Sequence, residues 1–363
     1  MSNSDAFQLR PSPRNGLRLD DRYLLLGLID SGGTSDVYFA NDELRGEPVI
    51  VKWLSSAAAQ DPQHGWRFVN GARATIRLEH PAIARVHAVE DPETSPPYLV
   101  MEVLEGESLA NYLEREKAMP QALTIQLALQ VASGLAAAHE MGIVHRDIKP
   151  GNLYLLGPKG APERVKIIDF GLAKDLRNDG VGPSSRNIVL GTAQYMAPEQ
   201  VLADPVDNRT DIYGFCAVLF RMLTGQLPFD LDPGPDLFSH QLFSKVPPPS
   251  WLVERVDPRL DEVILRCVRK HPDNRYPSML ALLADLSLIA DTSGAGRLIS
   301  ELPLAREPDV YRPRNPKAHG MAALLAQYFG TEAPAPTTSR LERISEAGPE
   351  TLALEDIREP QDN

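Results

Sequence analysis

The chain has 363 residues, 43% of them hydrophobic and 24% charged, the balance of an ordinary soluble globular protein with enough length for one two-lobed unit or two domains. Lys and Arg number 37 against 49 Asp and Glu, a formal charge of −12, which argues against a nucleic-acid or anionic-membrane binder. No uninterrupted apolar run reaches the roughly 18 residues of a membrane helix, and the polar stretch Met1 to Asp20 lacks the apolar region of a signal peptide. Cys216 and Cys267 both sit in apolar helical patterns and read as buried thiols. A reducing cytoplasm is the expected location.

Residues 1–22 are polar with two prolines and read as a flexible lead. Tyr23 to Ile29 and Val37 to Ala40 are short apolar runs joined by the glycine- and hydroxyl-rich stretch Asp30-Ser31-Gly32-Gly33-Thr34-Ser35, a β-hairpin pattern. Val49 to Val51, Ile83 to Val89 and Tyr98 to Met101 are three further strands. Between them Trp66 to Leu78 has helical character and ends before His80-Pro81. The first lobe, residues 23–103, is thus expected to hold five strands and one helix.

From residue 104 to about 290 the pattern turns helical. Leu123, Leu127, Val131 and Leu135 mark one face of a buried helix. Asp211 to Leu223, Asp261 to Arg269 and Ser278 to Ile289 are predicted helices as well. Residues 291–363 are rich in Pro, Glu and Arg and read as a largely disordered tail. Met321 to Phe329 is an amphipathic exception, either a docking helix or a frayed one. The architecture expected from this order is α+β.

Chemistry concentrates in His145-Arg146-Asp147-Ile148-Lys149-Pro150-Gly151-Asn152 and, seventeen residues after Asn152, Asp169-Phe170-Gly171. Asp147 can accept a proton from an attacking hydroxyl, and Lys149 can neutralise charge on a moving phosphoryl group. Asn152 and Asp169 supply the sparse oxygen shell that magnesium prefers. Upstream, Val49-Ile50-Val51-Lys52 ends a strand on a lysine. Downstream comes Gly191-Thr192-Ala193-Gln194-Tyr195-Met196-Ala197-Pro198-Glu199.

In this ordered series the chain resembles the protein serine/threonine kinases, most closely the bacterial, eukaryotic-like members. The resemblance implies the two-lobed protein-kinase fold, with a small antiparallel sheet plus one helix and a larger helical lobe. It implies ATP and Mg2+ as cofactors, and protein substrates with Ser or Thr acceptors. Asp147 would be the catalytic base and Lys149 the serine/threonine-type partner of the phosphoryl group. Asn152 and Asp169 would hold the metal. ATP would meet Gly32 and Gly33 of the loop, Lys52, and the apolar walls Ile29, Val37, Ile50, Met101 and Tyr154, while the backbones of Glu102 and Leu104 would bond adenine. Residues 169–199 would form the activation segment, with Thr192 bonding Asp147 and Lys149. A transient homodimer is implied for autophosphorylation in trans. Ser184 and Ser185 are the candidate acceptors, and Arg146 before the base suggests phosphate control; a serine-rich loop needing no modification is the alternative.

Four positions depart from the family pattern. Asp30 stands at the first loop glycine, Ile50 at the usual alanine, Thr75 at an apolar spine position, and Gly71 where a glutamate should pair with Lys52. No Asp or Glu lies between Asp61 and Glu79, so no small shift of register supplies one. Two readings stay open: a kinase that positions Lys52 in another way, with Asp30 one candidate carboxylate, or a pseudokinase or weakly active nucleotide-binding scaffold that keeps the fold.

Overall fold

Alternation of apolar side chains along the opening strands places one row on each face of a sheet. In the computed structural model of the chain, which describes residues 9–32, 34–91, 96–158, 160–170, 193–231 and 235–291, this sheet is antiparallel. It runs β1 (Arg18–Leu19), β2 (Tyr23–Ser31), β3 (Ser35–Asp42), β4 (Glu47–Leu54), β6 (Tyr98–Met101) and β5 (Val86–Glu90). Both faces are covered. Val49, Val51 and Trp53 of β4 join Tyr38, Ala40, Tyr98 and Val100 in one cluster. Ile50 and Leu54 join Phe39, Leu99 and Met101 in the other.

The sheet carries one strand more than the five expected. Residues 9–22, read from sequence as part of a flexible lead, are bonded to its edge: Arg10 N–H donates to Leu28 O at 2.8 Å, and Gly16 N–H to Leu25 O at 2.8 Å. Leu19 is buried there. Two helices follow β4 rather than one. The short α1 (Ser56–Ala59) is capped by the Ser55 hydroxyl, which accepts Ala58 N–H. α2 (Pro62–Thr75) buries Phe68, Val69 and Ala72 against the Ile50–Met101 side of the sheet. It ends at Thr75, whose hydroxyl donates back to Ala72 O at 2.7 Å.

A second sheet pairs β7 (Gly106–Ser108), β8 (Leu153–Leu156) and β9 (Arg164–Ile167). These strands are too short for periodicity to show in the sequence. Between β7 and β8 lie α3 (Leu109–Glu116) and α4 (Gln121–Glu140). By length and composition α4 would pass for a membrane span. Leu127, Val131 and Leu135 are nevertheless buried in protein, the arrangement of a core helix.

The chain divides into two units. One comprises the described residues of Met1–Tyr112, Gln130–Arg146 and Pro150–Asp175, and the other those of Leu113–Leu129, Asp147–Lys149 and Leu176–Asn363. The first unit therefore takes in segments from beyond the sequence boundary at 103/104. The second is helical. It holds α5 (Pro198–Val201), α6 (Asn208–Thr224), α7 (Pro235–Phe243), α8 (Pro249–Leu252), α9 (Pro258–Cys267) and α10 (Met279–Ala290). Asp207, Asp257 and Ser278 cap α6, α9 and α10 through their side chains. Gly225 closes α6 in the left-handed conformation at φ +73°, its N–H on Arg221 O. The predicted helix at 321–329 lies outside the described residues.

Candidate active site

In the first unit β4 delivers Lys52 opposite Val37 of β3 and Leu99 of β6. Its Nζ lies 2.7 Å from Asp169 Oδ1, with the two side chains 15% and 25% exposed. Asp169 holds a left-handed backbone, φ +63°, a conformation that aspartate tolerates better than most residues and that concentrates at functional sites. Arg146 shares it at φ +67°. The next residue, Phe170, is buried and sets its ring edge-on to the imidazole of the fully buried His145, with centroids 4.6 Å apart. His145 Nε2 lies 2.9 Å from Ile168 O. Asn152 is buried at the end of a single 3₁₀ turn, Pro150–Asn152, and its carbonyl accepts Ile168 N–H at 3.0 Å. The segment carrying Asp169 is thus bonded to the turn carrying Asn152.

The apolar walls expected for adenine come together. Ile29, Val37 and Tyr154 pack against the cluster that contains Ile50, Met101 and Leu104. Ile50 and Met101 are direct cross-strand partners. The Tyr154 hydroxyl donates to Gly106 O at 3.1 Å, and burial, reinforced by Glu107, pushes its pKa up. Glu102 N–H is taken by Arg85 O at 3.0 Å. Its carboxylate Oε1 accepts Arg85 N–H at 2.6 Å and Lys166 Nζ at 2.5 Å. Sequence reasoning missed Lys166. It lies in the four-residue β9 between the buried Val165 and Ile167.

Gly32 N–H donates to Ser35 O at 2.9 Å and closes the loop between β2 and β3; Gly33 lies outside the described residues. Asp30 is exposed at the end of β2, opposite Val37. The carboxylate on Lys52 is that of Asp169, and Gly71 is a half-buried position inside α2.

In the second unit Lys149 Nζ donates to Asp147 Oδ2 at 2.7 Å, with both side chains about a quarter exposed. Gly214 of α6 runs beside this loop: a Cβ there would stand 3.4 Å from Ile148 O and 3.5 Å from Tyr195 O. Tyr195 is buried and accepts Arg221 Nη1 at 2.5 Å on its hydroxyl, whose pKa burial raises against the opposing pull of that guanidinium. Gln241 donates to Ala193 O at 2.6 Å. Glu199, from the Ala197-Pro198-Glu199 stretch, is gripped at both oxygens by Arg275, Nη1–Oε1 2.7 Å and Nη2–Oε2 2.8 Å. Thr210 donates to the same Oε1 at 2.8 Å. Ser184, Ser185 and Thr192 lie outside the described residues.

Comparison with known proteins places this arrangement. The model of the protein kinase domain matches residues 23–285. The chain is 36% identical over 312 residues to serine/threonine-protein kinase PknL of Mycobacterium tuberculosis, covering 86% of this chain and 74% of that one. It is 36% identical over 272 residues to serine/threonine-protein kinase PknB of Mycobacterium leprae, covering 74% of this chain and 43% of that longer protein. Among solved structures the M. tuberculosis PknI kinase domain superposes with a TM-score of 0.61 at 23% identity, over 76% of this chain and 99% of that one. The chain belongs to the protein kinase family, among the bacterial serine/threonine kinases.

Proposed function

We propose that this chain transfers the γ-phosphoryl group of ATP to serine or threonine hydroxyls of proteins, and that it does so without a glutamate from α2. The ion pair between Lys52 and Asp169 carries this reading. It supplies the lysine with a carboxylate from the metal-binding segment itself, so the loss at Gly71 does not leave the cation without a partner.

Asn152 and Asp169 offer oxygen donors only. No group of three or more His, Cys, Asp or Glu side chains gathers to chelate an ion among the described residues. Such a set suits a hard cation that brings phosphate and water oxygens with it, as Mg2+ does. When bound, Mg-ATP would supply the transferable group and neutralise charge between the phosphates. Lys52 would bind phosphate as a point charge. Ile29, Val37, Ile50, Met101, Leu104 and Tyr154 would exclude water from the base, and the Glu102 carbonyl and Leu104 N–H would bond its edge. Asp147 would orient the acceptor hydroxyl and take its proton, with Lys149 holding the carboxylate in place until the phosphoryl group arrives.

The acceptors are read as protein hydroxyls, with Ser184 and Ser185 of a second copy among them in a transient homodimer. The two buried cysteines, not joined by a disulfide, fit a reducing cytoplasm. The test is phosphate incorporation by the purified chain from Mg-ATP, with Asp147→Ala as control and the sites mapped. Phosphate on serine or threonine in wild type alone is expected. No incorporation by a chain that still binds Mg-ATP would leave the nucleotide-binding scaffold reading in its place.

A further inference from the structure

Residues 9–22 precede the family match, which begins at residue 23, yet they reach the nucleotide-loop hairpin through side chains as well as backbone. Arg14 Nη1 lies 2.8 Å from Asp36 Oδ2, and the Arg14 guanidinium carbon stands 4.5 Å from the centroid of the Trp53 ring. The other Asp36 oxygen, Oδ1, accepts the Ser31 hydroxyl at 2.6 Å. Ser12 adds a contact between its Oγ and the Tyr38 hydroxyl at 3.2 Å.

These partners form one row across three strands. Ser31 of β2 faces Asp36 of β3, and Asp36 faces Trp53 of β4. Ser31 and Asp36 are the terminal pair of the hairpin, immediately outside the loop at Gly32. Trp53 follows Lys52, and side chains of neighbouring strand residues point to opposite faces. Arg14 therefore lies across the sheet face opposite Lys52 and ties the mouth of the hairpin to the strand that carries that lysine.

We propose that Arg14 is a positioning residue for nucleotide binding, holding the β2–β3 hairpin closed through Asp36 and Ser31 from outside the kinase domain proper. The proposal rests on the reading of the loop and Lys52 as an ATP site. A two-stranded hairpin with a glycine loop is marginal by itself, and the loop's own closure is the bond from Gly32 N–H to Ser35 O. An anchored hairpin loses less freedom when phosphates order it, so the clamp appears as affinity. Arginine suits the position because its planar guanidinium stacks on indole while donating to a carboxylate, whereas lysine offers a point charge with weaker stacking.

The experiment compares the full chain with Arg14→Ala, Arg14→Lys, Ser31→Ala and the Arg14→Ala/Ser31→Ala double variant. Mg-ATP affinity is read by calorimetry, and KM for ATP and kcat with casein as acceptor. Arg14→Ala is expected to weaken Mg-ATP binding and raise KM about fivefold, the scale of one charge-assisted contact. kcat should stay within about twofold and Arg14→Lys should recover part of the loss. Ser31→Ala should move in the same direction, and the double variant should be less than additive, because both changes open one clamp. Wild-type KM and affinity in Arg14→Ala overturn the proposal, as does strict additivity. If Arg14→Ala does not fold, Ser31→Ala, which removes one exposed hydroxyl, decides: an unchanged KM overturns the clamp. Failure of the wild-type chain to bind Mg-ATP overturns the nucleotide reading and the proposal with it, and that result is distinct from a variant that matches a binding wild type.

Discussion

Lys52 Nζ and Asp169 Oδ1, 117 positions apart in the chain, stand 2.7 Å from each other, and the carboxylate sits on a backbone turned to φ +63°. The lysine is thereby joined to the segment that would carry the metal rather than to the helix packed behind the sheet. Lys52→Met should cut phosphoryl transfer about a hundredfold or more, the cost of losing one preorganised charge in an active site. The fold should survive, because neither side chain is deeply buried. Single-turnover rates beside circular dichroism separate the two effects. Loss of the fold would mean that the pair braces structure instead of serving chemistry.

Gly71 is a glycine inside α2 where no catalytic carboxylate acts, so its cost is conformational. Gly71→Ala should stabilise the chain by up to about 1 kcal/mol, the propensity gap between the two residues in a helix interior. Turnover should not fall, since no functional group is removed. Thermal unfolding alongside an activity assay checks both. A drop in stability would show that α2 packs too closely at this position to admit a methyl group.

The proposed catalytic half of the site is read from residue types, because phosphoryl transfer demands particular groups at fixed spacing, and Asp147, Lys149, Asn152 and Asp169 meet that demand in series. The proposed apolar walls come from the resemblance, and in the structure Ile50 and Met101 lie on one face and pair directly. The docked segment at 9–22 was not legible in the sequence. It is polar and holds two prolines, and its attachment comes from long-range contacts such as Arg14 on Trp53, which leave no periodic trace. The same holds for Lys52, since proximity to Asp169 depends on tertiary path rather than on motif. Lys166 escaped because a lone lysine in a short strand has no pattern until its partner Glu102 is seen beside it.

Glu199 and Arg275 form an ion pair that is almost completely withdrawn from water, with side chains 1% and 0% exposed. Arg275 also donates to three backbone carbonyls, those of Arg269, Arg209 and Lys270, and its guanidinium lies over the Tyr213 ring. Glu199→Ala should destabilise by about 3–5 kcal/mol, because it leaves a buried cation without its counter-charge. Replacing both residues by apolar ones should not recover the loss here, because the Arg269 and Lys270 carbonyls would then lack a donor. Denaturant unfolding of the two variants measures this. A double variant as stable as wild type would show that those carbonyls find other partners.

His80 links acidity to stability in the first unit. Its Nδ1 accepts Ala82 N–H at 3.1 Å, which leaves the proton of the neutral ring on Nε2, 3.0 Å from Ser133 Oγ. Burial holds the imidazole below its usual value of 6.5. His87 is shifted the same way, by burial first and then by Arg45 and Arg85. The folded state therefore binds fewer protons than the unfolded chain as the solution is acidified. The stability is complete above about pH 6.5 and is lost as pH falls through the depressed folded values. Melting temperature should decline between about pH 7 and pH 5, the range in which an unperturbed histidine takes up its proton. His80→Asn keeps an oxygen for Ala82 N–H but cannot titrate, so its decline should be shallower, with the remaining slope due to His87. An unchanged slope in that variant would assign the whole effect elsewhere, because protonation at Nδ1 removes the acceptor that the Ala82 amide requires.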